Sequence, residues 1–346
     1  MAGFYELTPA QQGERVATLA RVALESWGLE ARELTLLKYR ENAVFRVAAS
    51  DGRQYAIRVH RAGYHSDAEL RSELQWMQAL LADGFDVPEL IPTRRGHLFD
   101  VVSHPDIPEP RQVDLFGWID GRQLGSVEGG VEGGVETLAG TFHTIGVLAA
   151  RLHNQSSRWR PPPGFTRQAW DVEGLVGEQP LWGRFWELAA LSESERALMI
   201  RARDRVRADL SGLERTPRNY GLIHADFAPE NLMVDGSRVR LIDFDDAGYG
   251  WHLFEIATTL YFHIGQPYFE TVERATIAGY QTGRELSAAD ESLLPLFYMA
   301  RGFTFLSWVL TRHETETARE LTPMLIELSC GVARRYLGRA ERGQHV

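Results

Sequence analysis

The sequence predicts an α+β protein in two parts: an antiparallel sheet with one helix, followed by a mainly helical region. Three observations predict it. Before Asp120 the chain alternates short strand-like runs with turn signals. From Leu138 onward, long segments carry apolar residues at helical spacing. Within that region only residues 221–242 read as strands. The length of 346 residues agrees, since at ~150 residues per domain it corresponds to two domains or one domain with two lobes.

The elements follow in order. GERVATLARVALES (13–26) reads as an amphipathic helix. ELTLLKY (33–39) and AVFRVAA (43–49) are strand-like and separated by Arg40-Glu41-Asn42, and RQYAIRVHR (53–61) follows a hairpin-type turn at Ser50-Asp51-Gly52. A helix is expected over 66–81, with Leu70, Leu74, Met77 and Leu81 on one face, before Val87-Pro88. HLFDVVS (97–103) and QVDLFGWI (112–119) complete the sheet. The tandem duplication VEGGVEGGVE (127–136) is too rich in glycine for a helix and reads as a surface loop or insertion. Helices are then expected over 138–153, 184–211, 251–264, 268–283, 287–310 and 316–341. The expected division is an N-terminal lobe over 1–116, a hinge over 117–121 and a C-terminal lobe over 122–346.

Composition excludes several classes. Apolar residues make up 44% and charged residues 24%, as in an ordinary globular protein. A single cysteine, Cys330, excludes a disulfide framework and a cysteine-rich zinc site. The start of the chain lacks a basic and an apolar signal region, and no run of ~18 apolar residues exists, so a cytoplasmic protein with no membrane partner is expected. The net charge of −10 argues against nucleic acid, whose binding relies on a basic surface. Lys38 is the sole lysine, which rules out a GxxxxGK[ST] phosphate loop, and HExxH, GxSxG and CxxC are absent.

The acidic segment carries the chemistry. HADFAPENLM (224–233) places Asp226 and Asn231 five residues apart, and LIDFDD (241–246) adds Asp243, Asp245 and Asp246. GLIH (221–224) reads as a strand, and LMVD (232–235) and VRLIDF (239–244) as a hairpin turned by Gly236-Ser237. That hairpin would return Asp243 towards the loop holding Asp226 and Asn231. Mg²⁺ takes oxygen ligands, usually one or two carboxylates with phosphate oxygens and water, which suits Asn231 and Asp243. Phosphoryl transfer also needs a group to accept the proton of the attacking hydroxyl, which suits Asp226. Asp245 fits a second metal ligand or a turn residue, and His224 fits a loop organiser.

The form HxDxxxxN followed by IDFDD resembles the aminoglycoside phosphotransferase superfamily, with choline kinases and type II homoserine kinases. It is less similar to eukaryotic protein kinases, because Asp245 stands where their DFG has glycine. The resemblance runs from about residue 33 to 310 and implies a two-lobed protein-kinase-like fold that clamps ATP, or GTP, with Mg²⁺. It also implies roles. Glu41 and Asn42 fall in the phosphate-covering turn, Glu73 matches the ion-pair glutamate, and the main chain near Leu115 to Ile119, with Leu115 and Gly117 as contacts, would hold adenine. Glu255 matches the acid that braces the catalytic loop. The family's third-strand lysine is Arg58 here, and either Arg58 or Lys38, on a neighbouring strand, would contact the phosphates. His153 reads as a packing residue, and Arg301, on a late helix, as a packing or anion-binding one. The implied function is transfer of the γ-phosphate to a hydroxyl of a small molecule: an amino alcohol, a homoserine-like amino acid or a sugar. Alternatives are a stress-response Ser/Thr protein kinase of the same superfamily and a nucleotide-binding pseudokinase. The acceptor and the oligomeric state are left open.

Overall fold

The computed structural model describes residues 3–39, 42–126, 130–131, 134–236 and 238–341. Glu41 therefore lies outside the described residues, as does much of the glycine duplication. The chain forms two compact units, Met1–Gly121 with Arg160–Thr166, and Arg122–Trp159 with Arg167–Val346. Residues 117–121, expected as a hinge, belong to the first.

In the first unit, α1 (Pro9–Ala23) starts four residues before the predicted helix. Thr8 accepts the Gln11 N–H while the Gln11 side chain accepts the Thr8 N–H, a capping box with proline in the first turn. Then come β1 (Ala31–Tyr39), β2 (Ala43–Ala49), β3 (Gln54–Val59), α2 (Asp67–Ala82), β4 (Phe99–His104) and β5 (Ile107–Gly117). A second capping box, Ser66 with Glu69, sets the start of α2. The strands form one antiparallel sheet in the order β1-β2-β3-β5-β4.

Side chains alternate across β3. Ile57 and Val59 enter a core with Val16, Leu19 and Trp27 from α1 and the segment after it. Arg58 points to the opposite face, where it meets Glu73 of α2. The sheet therefore carries a helix on each face.

The second unit begins with short strands β6 (Arg122–Gln123), β7 (Gly125–Ser126) and β8 (Gly130–Val131). Part of the duplication thus pairs as β8 with β7, and α3 (Val135–Arg158) starts inside it. β9 (Ala169–Trp170), α4 (Val172–Val176), α5 (Glu193–Gly212), β10 (Tyr220–Ile223), β11 (Leu232–Asp235), β12 (Arg238–Leu241) and β13 (Gly248–Trp251) follow. The unit ends with α6 (His252–Leu260), α7 (Phe269–Gln281), α8 (Ala288–Ser292), α9 (Leu294–Thr311) and α10 (Glu316–Glu341). The helix expected over 184–211 begins at 193, where Ser192 and Glu195 close a capping box. The helix expected over 287–310 is broken before Pro295, which lacks the N–H a continuous helix needs.

Two small sheets hold the acidic segment, β12-β11-β6 and β10-β13-β9. β9 and β13 were not anticipated. Their approach depends on glycine at position 248, where a Cβ would lie 2.5 Å from the Gln168 carbonyl; one at Gly250 would lie 3.1 Å from Trp170 Cβ on β9.

Glycines also set the crossing of α3 and α7. A Cβ at Gly146 would stand 2.0 Å from the Thr276 carbonyl oxygen, and one at Gly279 2.0 Å from that of His143. The obstruction is backbone, which cannot rotate away. Gly279→Ala should therefore destabilise the protein by roughly 3 kcal/mol, the upper range for overpacking; denaturant unfolding measures it, and an unchanged midpoint would contradict the crossing. Among the described residues no helix is long and apolar enough to cross a membrane.

Candidate active site

Arg58 is only 5% exposed, because β3 is central in the sheet and α2 covers that face. Its Nε donates to Asp114 Oδ1 at 3.1 Å and its Nη2 to Asp114 Oδ2 at 2.7 Å. Nη2 also donates to Glu73 Oε1 at 2.8 Å. The expected Arg58–Glu73 pair is present, and a second buried carboxylate, Asp114 of β5, joins it. His60 Nε2 lies 3.1 Å from the same Asp114 oxygen. Sequence reasoning missed Asp114 and His60. Asp114 stands inside an apolar strand, VDLF, and such a charge is held in a core only by a partner; that was the available signal.

Lys38, Val44, Arg58 and Asp114 are successive cross-strand partners, so they share one face of the sheet. Two strand spacings place Lys38 about 10 Å from Arg58 by backbone geometry.

Burial by itself pushes the Asp114 carboxyl up, but the Arg58 charge and then His60 outweigh it and hold the group down at about 2. A carboxyl depressed in the folded state stabilises above its ordinary titration range, and that stability is lost as pH falls through the folded value. Asp114 should contribute roughly 2 kcal/mol near neutrality, lost between about pH 4 and pH 2. Acid titration of unfolding free energy checks this: Asp114→Asn should be less stable at pH 7, with a flatter decline below pH 4.

Other expected nucleotide contacts are engaged within the fold. Asn42 is buried and its Oδ1 accepts the Arg61 N–H at 3.1 Å, tying the β1–β2 turn to the end of β3. Leu115 is in the core and its carbonyl accepts the Ile91 N–H at 2.9 Å. The Gly117 N–H donates to the Glu89 carbonyl at 2.8 Å.

In the second unit, β10 ends at Ile223 and the chain enters the loop carrying Asp226. Asn231 Nδ2 donates to Asp226 Oδ2 at 2.6 Å and to the Asp226 carbonyl at 3.0 Å. The Ile242 N–H donates to the Asn231 carbonyl at 3.0 Å, and His224 Nε2 meets the Ile242 carbonyl at 3.0 Å. These bonds bring the residue preceding Asp243 onto the loop of Asp226 and Asn231. His224, buried and carrying these tethers, is a loop organiser. Asp243 follows at φ 65°, in the left-handed region that a non-glycine residue seldom adopts.

Asn231 aims its donor nitrogen at Asp226, which turns its Oδ1 the other way. Among the described residues no three His, Cys, Asp or Glu side chains are grouped so as to hold a metal ion by themselves. A carboxamide oxygen with one or two carboxylates is nevertheless the donor set that suits Mg²⁺, whose remaining ligands are phosphate oxygens and water. The residues present therefore fit a hard divalent cation.

The loop is clamped from two sides. Glu255 of α6 accepts the N–H groups of His224 at 2.9 Å and Ala225 at 2.7 Å. It is fully buried, and burial raises its carboxyl, opposed by His224, the two N–H groups and Arg301. His153 is buried beside it, with Nε2 3.6 Å from Glu255 and Nδ1 2.9 Å from the Tyr280 hydroxyl; burial holds its imidazole well below the ordinary value. The packing role expected of His153 agrees with this. From the other side, Arg301 of α9 donates to the Ala225 carbonyl at 3.1 Å and to Asp226 Oδ1 at 2.7 Å.

A further tether was not legible in the sequence. Arg167 donates to the main-chain carbonyls of Asp245 and Ala247, while Gln168 and Trp170 donate to that of Asp246. Asp245 itself is buried. A cavity of about 380 Å³ elsewhere in this unit, walled by Phe269, Glu273, Glu291, Tyr298, Arg335 and Tyr336, contains none of the candidate residues.

Comparison with known proteins shows the family. The family model described as phosphotransferase enzyme family matches residues 34–291. The structure of a microcompartment-associated aminopropanol kinase superposes with a TM-score of 0.82 at 34% identity, covering 93% of this chain and 97% of that one. A homoserine kinase of Sinorhizobium fredii is 30% identical over 279 residues, 79% of this chain and 76% of the relative. The amicoumacin kinase of Bacillus subtilis is 23% identical over 290 residues, 81% of this chain and 80% of that protein.

Proposed function

Because the chain belongs to the phosphotransferase enzyme family, we propose that it transfers the γ-phosphate of ATP to the hydroxyl of a small amino alcohol, with Asp226 as general base. It has the kinase-like fold of that family and is an ATP-dependent small-molecule phosphotransferase. The observation that carries the assignment of the base is the carriage of Asp226. Its carboxylate is held on one oxygen by Arg301 and on the other by Asn231, yet its side chain stays 22% exposed. A carboxylate has about four lone-pair sites on its two oxygens, so a bound hydroxyl can still donate its proton there.

Asn231 and Asp243, with Asp245 adjoining, would hold Mg²⁺, which neutralises charge on the phosphates when bound. Arg58, fixed by Glu73 and Asp114, would contact the nucleotide phosphates. With one positive charge against two carboxylates, that contact is directional hydrogen bonding rather than net attraction. The rest of the catalysis is positioning and fixed electrostatics.

The amino alcohol follows from the aminopropanol kinase likeness and from Arg301. An amino acid such as homoserine brings a carboxylate that needs a cation. Arg301 is 1% exposed and committed to Asp226, so it is not the anchor for an acceptor's anion. A net charge of −10 also favours a cationic acceptor. The test is ADP release with Mg·ATP and aminopropanols, homoserine or an aminoglycoside, with phosphorylated products identified by mass spectrometry. An aminopropanol should give the highest kcat/KM. A clear preference for homoserine, or labelled phosphate in polypeptide, would refute the acceptor.

A further inference from the structure

We infer that Arg301 is a positioning residue that carries Asp226, so that the phosphoryl-transfer rate depends on a side chain from α9 that acts through the base. This rests on Asp226 being the base. The argument begins with the backbone. Ala225 adopts φ 66°, a left-handed conformation that is strained for any residue with a Cβ. Such a residue stays in place only where its surroundings over-determine it. Glu255 takes the N–H side, at His224 and Ala225. Arg301 takes the other side of the same residue, at the Ala225 carbonyl, and continues to the Asp226 carboxylate.

The guanidinium is itself immobilised. It is buried, lies over the ring of Phe305 at 4.2 Å from the centroid, and has Phe254 at 5.7 Å. Its planar fork can bridge a carbonyl and a carboxylate at once, which a single ammonium does less well. α6 supplies Glu255 and α9 supplies Arg301, so two helices hold the strained peptide between opposite charges. Losing Arg301 releases one oxygen of the Asp226 carboxylate and one side of the Ala225 peptide, while Asn231 and Glu255 stay in place.

The experiment compares Arg301→Met and Arg301→Lys, each alone and combined with Asp226→Asn, in full-length protein. Arg301→Met should lower kcat by roughly 10- to 100-fold, the penalty of misplacing a catalytic group, with affinity for Mg·ATP and the KM for ATP unchanged. Arg301→Lys should recover part of that loss. In the Asp226→Asn background the Arg301 substitutions should have little further effect, because residues acting as a unit are not additive. Calorimetric melting identifies any variant that does not fold; if Arg301→Met is one, Arg301→Lys in the two backgrounds decides. Wild-type kcat in folded Arg301→Lys and Arg301→Met overturns the inference. So does an equal loss with and without the Asp226 carboxylate, which leaves Asp226 as base. Full activity of Asp226→Asn overturns the base itself and is seen independently of Arg301.

Discussion

Asp226→Asn should lose roughly 10²-fold or more in kcat, the scale of a positioned acid–base group, while Mg·ATP still binds. The substitution keeps the shape of the side chain and an oxygen for Arg301 to donate to. It removes the charge and the capacity to take a proton from the acceptor hydroxyl. Coupled ADP release at saturating acceptor measures the rate, and calorimetric titration of Mg·ATP measures binding. The asparagine would also weaken the pairing of a buried arginine; a melting curve separates that cost from the catalytic one. Wild-type turnover by the folded variant would remove Asp226 as the base.

Arg58→Met should destabilise the first unit by about 3–5 kcal/mol, the usual cost of leaving a buried charge without its partner. Glu73 and Asp114 are both essentially inaccessible to water, and methionine would leave two carboxylates facing each other there. One of them is expected to take up a proton, so the loss should be largest at high pH and shrink on acidification. Guanidinium unfolding at pH 5 and pH 8 reads both magnitude and sign. Arg58→Lys should cost less, roughly 1–3 kcal/mol, because an ammonium keeps charge but forfeits the two-pronged bond to Asp114. Binding of Mg·ATP should weaken in both variants. If Arg58→Met unfolds at the same denaturant concentration as the wild type, the buried trio is not the support described here.

Which parts were legible followed a physical division. The sheet of the first unit was visible because strand alternation and turn residues act over a few positions: Ser50-Asp51-Gly52 does turn between β2 and β3. Helix starts were placed several residues off at α1 and α5, where capping boxes at Thr8 and Ser192 decide them. The GYGW segment before α6 was not anticipated as a strand, because Gly248 and Gly250 have no side-chain pattern; at Gly248 the neighbouring backbone approaches too closely for one. The nearness of Asp226 and Asn231 was legible because both lie on one short loop, five residues apart; that the carboxamide donates to the carboxylate was not.

The sequence alone determined that a carboxylate, a carboxamide and a second carboxylate fall on one loop and the hairpin that follows it, since that spacing is a local property of the chain. Only the tertiary structure decided what holds them. Asp114 reaches Arg58 across 56 residues, and Arg301 reaches Asp226 across 75. A buried charge takes the partner that packing brings to it, and packing is set by which face of a helix or strand meets another, a relation that no repeat or spacing in the chain records.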